Sequence, residues 1–225
     1  ELKARIHTAY RFFAYEKKQQ SIANETRFAC YQALTELAEA RDYETGQHLS
    51  RVSAMSRLLA KQLGQDEHFL NQIDLFAPMH DIGKVGIPDG ILHLPRKLTP
   101  QEFDIIKTHT SIGYDILKGK PTMEMAADIA HYHHEKWNGC GYPAGLKGEE
   151  IPLCSRIVSI IDVYDALRSI RPYKKEYTHQ DSVDLIYKES GISFDPTIVA
   201  AFKEIELDIK ALFDNTYKTF AETPH

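Results

Sequence analysis

The chain has 225 residues, 43% of them hydrophobic and 26% charged, so it is long enough and apolar enough to bury a sizeable core. Its net charge of -5 excludes nucleic-acid binding through a broad basic surface, because such binding depends on neutralising many phosphates. We therefore expect no nucleic-acid partner. No window approaches the ~18 apolar residues of a membrane-spanning helix, so we also expect that the chain is not embedded in a membrane.

The first 41 residues predict a long helical segment. They contain almost no helix breakers, and apolar residues such as Leu2, Ile6 and Phe13 recur between charged ones, which indicates one long helix or two in series. A packed helix and a connector or dimer seam are both consistent with this pattern, since the heptad spacing breaks at residues 17–20. The chain begins at Glu1 without Met, which is typical of a fragment of a longer protein.

From Asp42 nearly to the end of the chain, the hydrophobic pattern is helical. Thr99 and Glu102 form a capping box, with Pro100 in the first turn of the helix that follows. The predicted helices are Thr45–Leu63, Asp66–Asp81, Pro100–Lys118, Thr122–His133, Pro152–Ser169, Thr178–Glu189 and Pro196–Phe213. No strand-like alternation of any length occurs, so the sequence predicts an all-α fold.

Two segments, residues 84–98 and 135–151, lack the helical pattern and are too long for turns between packed helices. The second holds four of the twelve glycines in the chain. Long ordered loops in helical domains are commonly functional, and solvated insertions are the alternative.

The cysteines predict a reducing compartment. Cys30, Cys140 and Cys154 are odd in number and have no C-x-x-C spacing, so they indicate neither a disulfide framework nor a cysteine zinc site. We therefore expect a cytoplasmic protein.

Several acidic and imidazole side chains lie at positions where they need partners. His80 and Asp81 end an apolar helix, where their burial would be costly unless each is paired. Asp162 lies within the apolar run IVSIIDVYDAL. Taken alone, a buried His–Asp hydrogen bond or exposure at the helix end would explain the first pair.

Further candidates join this set. Glu44 and His48 are one helical turn apart, so that their side chains can converge on one point. The full set is Glu44, His48, His80, Asp81, His109, His133, His134 and Asp162. Imidazole and carboxylate ligands without thiolates suit iron, manganese, nickel or zinc. Eight ligands are too many for one ion, so their convergence would predict a site for two or more metals.

Five segments resemble a known family in their order and spacing. They are RDYETGQHLSRV at 41–52, HDIGKVGIPDGIL at 80–92, HHEKWNGCGYPAGLKGEEIPL at 133–153, RIVSIIDVYDAL at 156–167 and SIRPYK at 169–174. The family is HD-GYP, a subgroup of the HD-domain metal-dependent phosphohydrolases. The resemblance covers about 160 residues, from Asp42 to roughly Phe202.

This resemblance implies an HD-GYP domain over residues 42–225, preceded by a linker helix over residues 1–41. It implies that the eight candidates hold two or three metal ions, commonly iron or manganese, and that Asp81 bridges two of them. The carboxylate of Glu44 is implied to permit the binding of a third ion. The implied reaction is hydrolysis of cyclic di-GMP to linear pGpG or GMP by metal-activated water.

The resemblance also implies which residues meet the substrate. Lys84 would contact a phosphate oxygen and act in catalysis with Asp81; its alternative is to offset a helix dipole. The other implied contacts are Tyr142, Asp165, Arg171 and Lys174. For Asp165, an N–H partner within the helix bundle is the alternative.

Partners follow from the same resemblance. The GYP loop is implied to dock diguanylate cyclases in some members. The segment ELKARIHTAYRFFAYEKKQQ is similar to the last helix of a receiver domain, which implies a bacterial response regulator in a two-component system and a homodimer through this helix. The competing functions are a catalytically weak cyclic di-GMP receptor and an HD phosphohydrolase acting on another cyclic nucleotide or dinucleotide.

Overall fold

The computed structural model describes residues 2–39, 46–169 and 176–221. The chain divides into two compact units, Glu1–Leu37 and Ala38–His225. The first unit belongs to one helix, α1 (Leu2–Glu39), so the residues described here form a single helix and not two in series.

The second unit is built from helices, in agreement with the predicted all-α fold. An isolated β-bridge between Ser190 and Phe194 is the only β-pairing within the described ranges. The helices are α2 (Gly46–Gln62), α3 (Glu67–Phe76), α4 (Asp89–Leu92), α5 (Pro100–Leu117), α6 (Glu124–Tyr132), α7 (Leu153–Arg168), α8 (His179–Lys188), α9 (Pro196–Glu204) and α10 (Glu206–Ala221). None of them is both long enough and apolar enough to cross a membrane.

Helix α7 lies at the centre of the core. It contacts α2, α6, α8 and α9, and residues on all sides of it are fully buried, including Ile157, Ile160 and Ile161. A helix that is apolar around most of its circumference is stable only when other elements surround it. Asp162 lies on this helix with its side chain 18% exposed, at the edge of the core.

The predicted helix Asp66–Asp81 changes character part of the way along. Helix α3 ends at Phe76, and a 3₁₀ segment runs over Ala77–Gly86 with Pro78 in its first turn. This segment passes against α5 so closely that a Cβ on Gly83 would lie 1.9 Å from the carbonyl oxygen of His109. Only glycine permits this approach.

The predicted helix Pro196–Phe213 is divided in two. It breaks at Ile205, which caps α9, and α10 begins at the next residue. No glycine or proline marks this break. Ile205 is buried there, as are Phe202 before it and Ile209 after it, so packing of the turn against the core decides the geometry.

Candidate metal centre

Seven of the eight candidate ligands fall into two groups. In each group, one ligand atom from every residue lies within 4.8 Å of those of the others. The groups are Asp81, His109, His133 and His134, and His48, His80 and Asp162. Glu44 lies outside the described residues.

Asp81 stands between the two groups. Its Oδ1 is 3.2 Å from Nε2 of His109 and 3.7 Å from Nε2 of His133. Its Oδ2 is 3.4 Å from Nε2 of His80, and that nitrogen is 3.7 Å from Oδ1 of Asp162. One carboxylate therefore faces both groups with different oxygens, as a carboxylate bridging two ions does.

Three of the imidazoles are hydrogen-bonded to the main chain through the ring nitrogen that faces away from the centre. The Nδ1 atoms of His80, His109 and His133 lie 3.0, 2.7 and 3.0 Å from main-chain carbonyl oxygens one turn earlier. A carbonyl oxygen can only accept, so Nδ1 carries the proton in each ring. A ring that carries its proton on Nδ1 has a lone pair on Nε2, and in these three residues Nε2 points to the centre.

Some of the inward atoms lack conventional partners. Nε2 of His109, Nε2 of His133 and Oδ1 of Asp81 are buried and make no hydrogen bond within the described part of the chain. Leaving such atoms unsatisfied costs about 1–3 kcal/mol each. A metal ion would satisfy them together, so the residues fit the group that their chemistry indicates.

The protonation states also suit metal binding. Burial lowers the pKa of His133, and it brings the pKa of His134 well below the usual value. Burial alone would raise the pKa of Asp81, but the Lys84 ammonium holds it well below its usual range. Neutral imidazoles and an ionised carboxylate are the forms that coordinate metals.

Lys84 lies against the same carboxylate. Its Nζ is 2.7 Å from Oδ2 of Asp81. The 3₁₀ geometry explains this contact, because residues three apart in such a segment share one side. The lysine thus places a positive charge at the edge of the candidate centre.

The loop after α6 brings Tyr142 to the centre. The Tyr142 ring lies 4.9 Å from the His134 ring at an interplanar angle of 36°. The loop turns back so tightly that a Cβ on Gly141 would lie 2.4 Å from Cα of Glu135. Main-chain N of Tyr142 donates to the carbonyl of His134 at 3.3 Å, and the peptide bond to Pro143 is cis.

Glu135 anchors this loop and was missed by the sequence analysis. Its side chain is buried, and Oε1 accepts hydrogen bonds from the main-chain nitrogens of Ala144 and Gly145 at 2.7 and 3.0 Å. The position of Glu135 in the sequence is the signal that indicates its burial, since a carboxylate directly after two inward-facing histidines cannot reach solvent easily.

Asp165 is buried behind His48. Its Oδ2 lies 2.7 Å from Nδ1 of His48, and Arg51 donates to both of its oxygens at 2.5 and 2.8 Å. Burial alone would raise the pKa of Asp165, but Arg51 and His48 bring it below its usual value. These contacts match the alternative of a partner within the helix bundle, and the side chain is only 1% exposed.

Arg51 is the second residue that sequence analysis missed. It lies three residues after His48, as Asp165 lies three residues after Asp162. Each helix thus presents one residue to the centre and another to the layer behind it. The matched spacing on α2 and α7 was the available signal.

The remaining predicted contacts, Arg171 and Lys174, lie outside the described residues.

A cavity of about 550 Å³ opens beside His133 and His134 and is also lined by Val163 of α7 and Lys188 of α8. Its size is typical of small-molecule sites.

Comparison with known proteins relates the chain to phosphodiesterases. The HD domain family model matches residues 32–198. A cyclic di-GMP phosphodiesterase of Thermotoga maritima is 41% identical over 208 residues, which cover 90% of this chain and 56% of the relative. The cyclic di-GMP phosphodiesterase response regulator RpfG of Xanthomonas campestris pv. campestris is 41% identical over 196 residues, or 85% of this chain and 52% of the relative. The chain thus spans about half the length of these relatives.

Two further comparisons concern a related substrate and the fold. A 3'3'-cGAMP-specific phosphodiesterase 2 of Vibrio cholerae is 41% identical over 173 residues, covering 76% of this chain and 33% of the relative. The crystal structure of a cyclic GMP-AMP specific phosphodiesterase of V. cholerae superposes with a TM-score of 0.60 at 22% identity. It covers 86% of this chain and 54% of the other, and it supports the all-α fold.

The buried pair of Arg51 and Asp165 predicts a large stability effect. Replacing Arg51 with Met leaves the carboxylate buried without its guanidinium, and we expect the free energy of unfolding to fall by about 3 kcal/mol. Urea denaturation at fixed metal content measures this loss.

The matched control is Arg57→Met, since Arg57 pairs with the exposed Glu67 at 3.1 Å. We expect a change below about 0.5 kcal/mol there. The double variant Arg51→Met/Asp165→Asn should recover part of the loss. Equal effects of Arg51→Met and Arg57→Met would contradict the buried-pair interpretation.

Proposed function

Because this chain belongs to the HD domain family, in its HD-GYP subgroup, we propose that it is a metal-dependent phosphodiesterase that hydrolyses cyclic di-GMP to pGpG, GMP or both. The observation that carries the proposal is the position of Asp81, whose two oxygens face two separate groups of ligands, with Lys84 beside it. The relatives named as cyclic di-GMP phosphodiesterases support the choice of substrate.

The proposed ligands would hold two ions, with Asp81 between them. His109, His133 and His134 would hold one ion, and His48, His80 and Asp162 would hold the other. The donor set favours iron or manganese, with nickel or zinc as alternatives. Glu44, outside the described residues, would serve a third ion.

Metal ions bound there would activate a water and stabilise the oxygens of the phosphodiester. The residues of the chain orient the substrate around that chemistry. Lys84, whose ammonium lies beside Asp81, would offer a positive charge to a non-bridging phosphate oxygen. Tyr142 closes one side, while the cavity beside His133 and His134 offers room for part of a nucleotide.

A second layer of residues positions the ligands. We propose that Asp165 acts through His48, because it holds Nδ1 of that ring and is itself fixed by Arg51. Carboxylates behind histidine ligands fix the tautomer and orientation of the ring. Arg171 and Lys174, outside the described residues, remain proposed phosphate contacts.

Two other functions compete with this proposal. Hydrolysis of another cyclic dinucleotide is supported by the 41% identity to a 3'3'-cGAMP-specific phosphodiesterase. A catalytically weak receptor is the other candidate, but a receptor does not require seven converging ligands.

The decisive test replaces Asp81 with Ala. Because this carboxylate faces both groups, we expect bound iron or manganese to be lost and hydrolysis of cyclic di-GMP to fall at least ~10³-fold. Metal analysis of anaerobically purified protein and chromatography of the products measure the two effects.

The control is Asp115→Ala on α5, an exposed acid paired with Lys118, which should keep both metal and activity. Metal and turnover retained in Asp81→Ala would show that the centre is placed wrongly. Binding of cyclic di-GMP by the unmodified, metal-loaded protein without any product would favour the receptor.

Lys84 provides a separate test of the phosphate contact. Lys84→Met should lower kcat by roughly 100-fold at unchanged metal content, because a charged donor to the phosphate is removed. Lys84→Arg should recover part of the rate, since it keeps the positive charge. If Lys84→Met loses metal in proportion to activity, the lysine serves only to neutralise Asp81.

We further propose that residues 42–225 form the phosphodiesterase domain and that residues 1–41 link it to a receiver domain in a response regulator. A diguanylate cyclase is proposed to dock on the loop that carries Tyr142. The free cysteines, of which Cys30 and Cys140 are exposed, support a reducing cytoplasmic setting.

The exposed apolar residues of α1 support a homodimer through this helix. Ile6, Tyr10, Phe13, Leu34 and Leu37 are 53% to 73% exposed. Replacing both Phe13 and Leu34 with Glu should convert a dimer to monomers in sedimentation velocity, because charges would enter the proposed seam. The control is Leu207→Glu on α10, where the leucine is 70% exposed. A monomeric unmodified protein, or a dimer that survives the double substitution, would refute this seam.

A further inference from the structure

An aromatic and cationic cluster lies at the edge of the candidate centre, and two of its three members have no role so far. It consists of Phe103 and Lys107 on α5 together with Tyr142, and we call it the ring platform. The rings of Phe103 and Tyr142 are 6.2 Å apart at 83°. Nζ of Lys107 lies 5.0 Å from the centroid of Phe103 and 5.9 Å from that of Tyr142.

The ring platform is connected to the metal centre by a continuous row of rings. His109 lies 5.2 Å from His134, His134 lies 4.9 Å from Tyr142, and Tyr142 contacts Phe103. Phe103 is the outermost ring and is 42% exposed. The row therefore begins at a proposed metal ligand and ends at an aromatic surface open to solvent.

Exposure alone would not make Phe103 a binding residue, since single exposed apolar side chains are common. Ile105, two positions later on α5, is 39% exposed and is an example of such a residue. Phe103, by contrast, packs edge-on against a second ring and has a cation beside it. These are the components from which proteins build surfaces that stack bases.

A ligand can contact the Lys107 ammonium at a small cost in free energy. Its ammonium is 2.8 Å from Asp104, and the two side chains are 35% and 69% exposed. Exposed pairs of this kind contribute little, so a phosphate or the π-face of a base can compete for the ammonium. It also supplies local positive charge to a chain whose net charge is -5.

We propose that the ring platform is the stacking site for one purine base of a cyclic dinucleotide whose phosphodiester lies at the metal centre. This inference rests on the proposed function. Phe103 supplies the ring face, Tyr142 buttresses it, and Lys107 contributes a cation beside the stacked base. Stacking uses the π-face that every base has, so the site takes guanine or adenine and sets affinity without distinguishing between them.

The test uses full-length, metal-loaded protein and a cyclic dinucleotide in which 2-aminopurine replaces one guanine. Stacking quenches the fluorescence of this base, and stopped flow records the quenching before turnover. Phe103→Ala should weaken binding roughly 10-fold or more and remove most of the quenching. Phe103→Tyr should restore both, since it returns a ring, and Ile105→Ala is the matched exposed control on the same helix.

Kinetics separate a stacking role from a structural one. In Phe103→Ala, KM for cyclic di-GMP should rise roughly 10-fold relative to KM for methyl 4-nitrophenyl phosphate, whose only ring is its leaving group. Equal losses on both substrates would mean that Phe103 merely supports the loop, and this would overturn the proposal. Unchanged quenching and unchanged KM in Phe103→Ala would also overturn it.

The outcomes distinguish this inference from the proposed function. If the unmodified protein quenches the probe through Phe103 but forms no product, the ring platform stands and the hydrolase proposal falls. If the protein hydrolyses cyclic di-GMP and Phe103→Ala behaves like Ile105→Ala, the hydrolase proposal stands and the ring platform falls. A probe that the unmodified protein fails to bind also counts against the platform.

Discussion

The buried carboxylate of Asp81 constrains everything around it, because a charge in an apolar interior must be neutralised or coordinated. Lys84 approaches one of its oxygens, and imidazoles from α5 and from the end of α6 face the other. The 3₁₀ segment over Ala77–Gly86 sets this position, and Gly83 lets it approach α5 without a gap. The position of Asp81 among its neighbours thus depends on the course of the backbone in this segment.

Each helix also prepares the side chain that it contributes. Main-chain carbonyls hold Nδ1 of His80, His109 and His133, while the carboxylate of Asp165 holds Nδ1 of His48. The tautomers are therefore fixed by the fold itself, and little reorganisation remains when a metal binds. The apolar helix α7 completes the arrangement by placing Asp162 beside His48 and His80.

Much of this could be predicted from the sequence. Hydrophobic periodicity and the Thr99 capping box predict most of the helices, and seven of the candidate ligands lie in two groups of neighbouring side chains. The break at Ile205 has no local signal, since tertiary packing imposes it. The spacing of Arg51 and the position of Glu135 indicate inward-facing side chains, but not their partners, which are a distant residue and main-chain nitrogens.

The order of residues 133–135 has a mechanical consequence. His133 and His134 face the centre, and the next residue, Glu135, grips the loop that returns Tyr142 to the ring of His134. No spacer separates these candidate ligands from the residue that anchors the loop. The position of the Tyr142 ring therefore depends on the same short stretch of backbone that presents two candidate ligands to the centre.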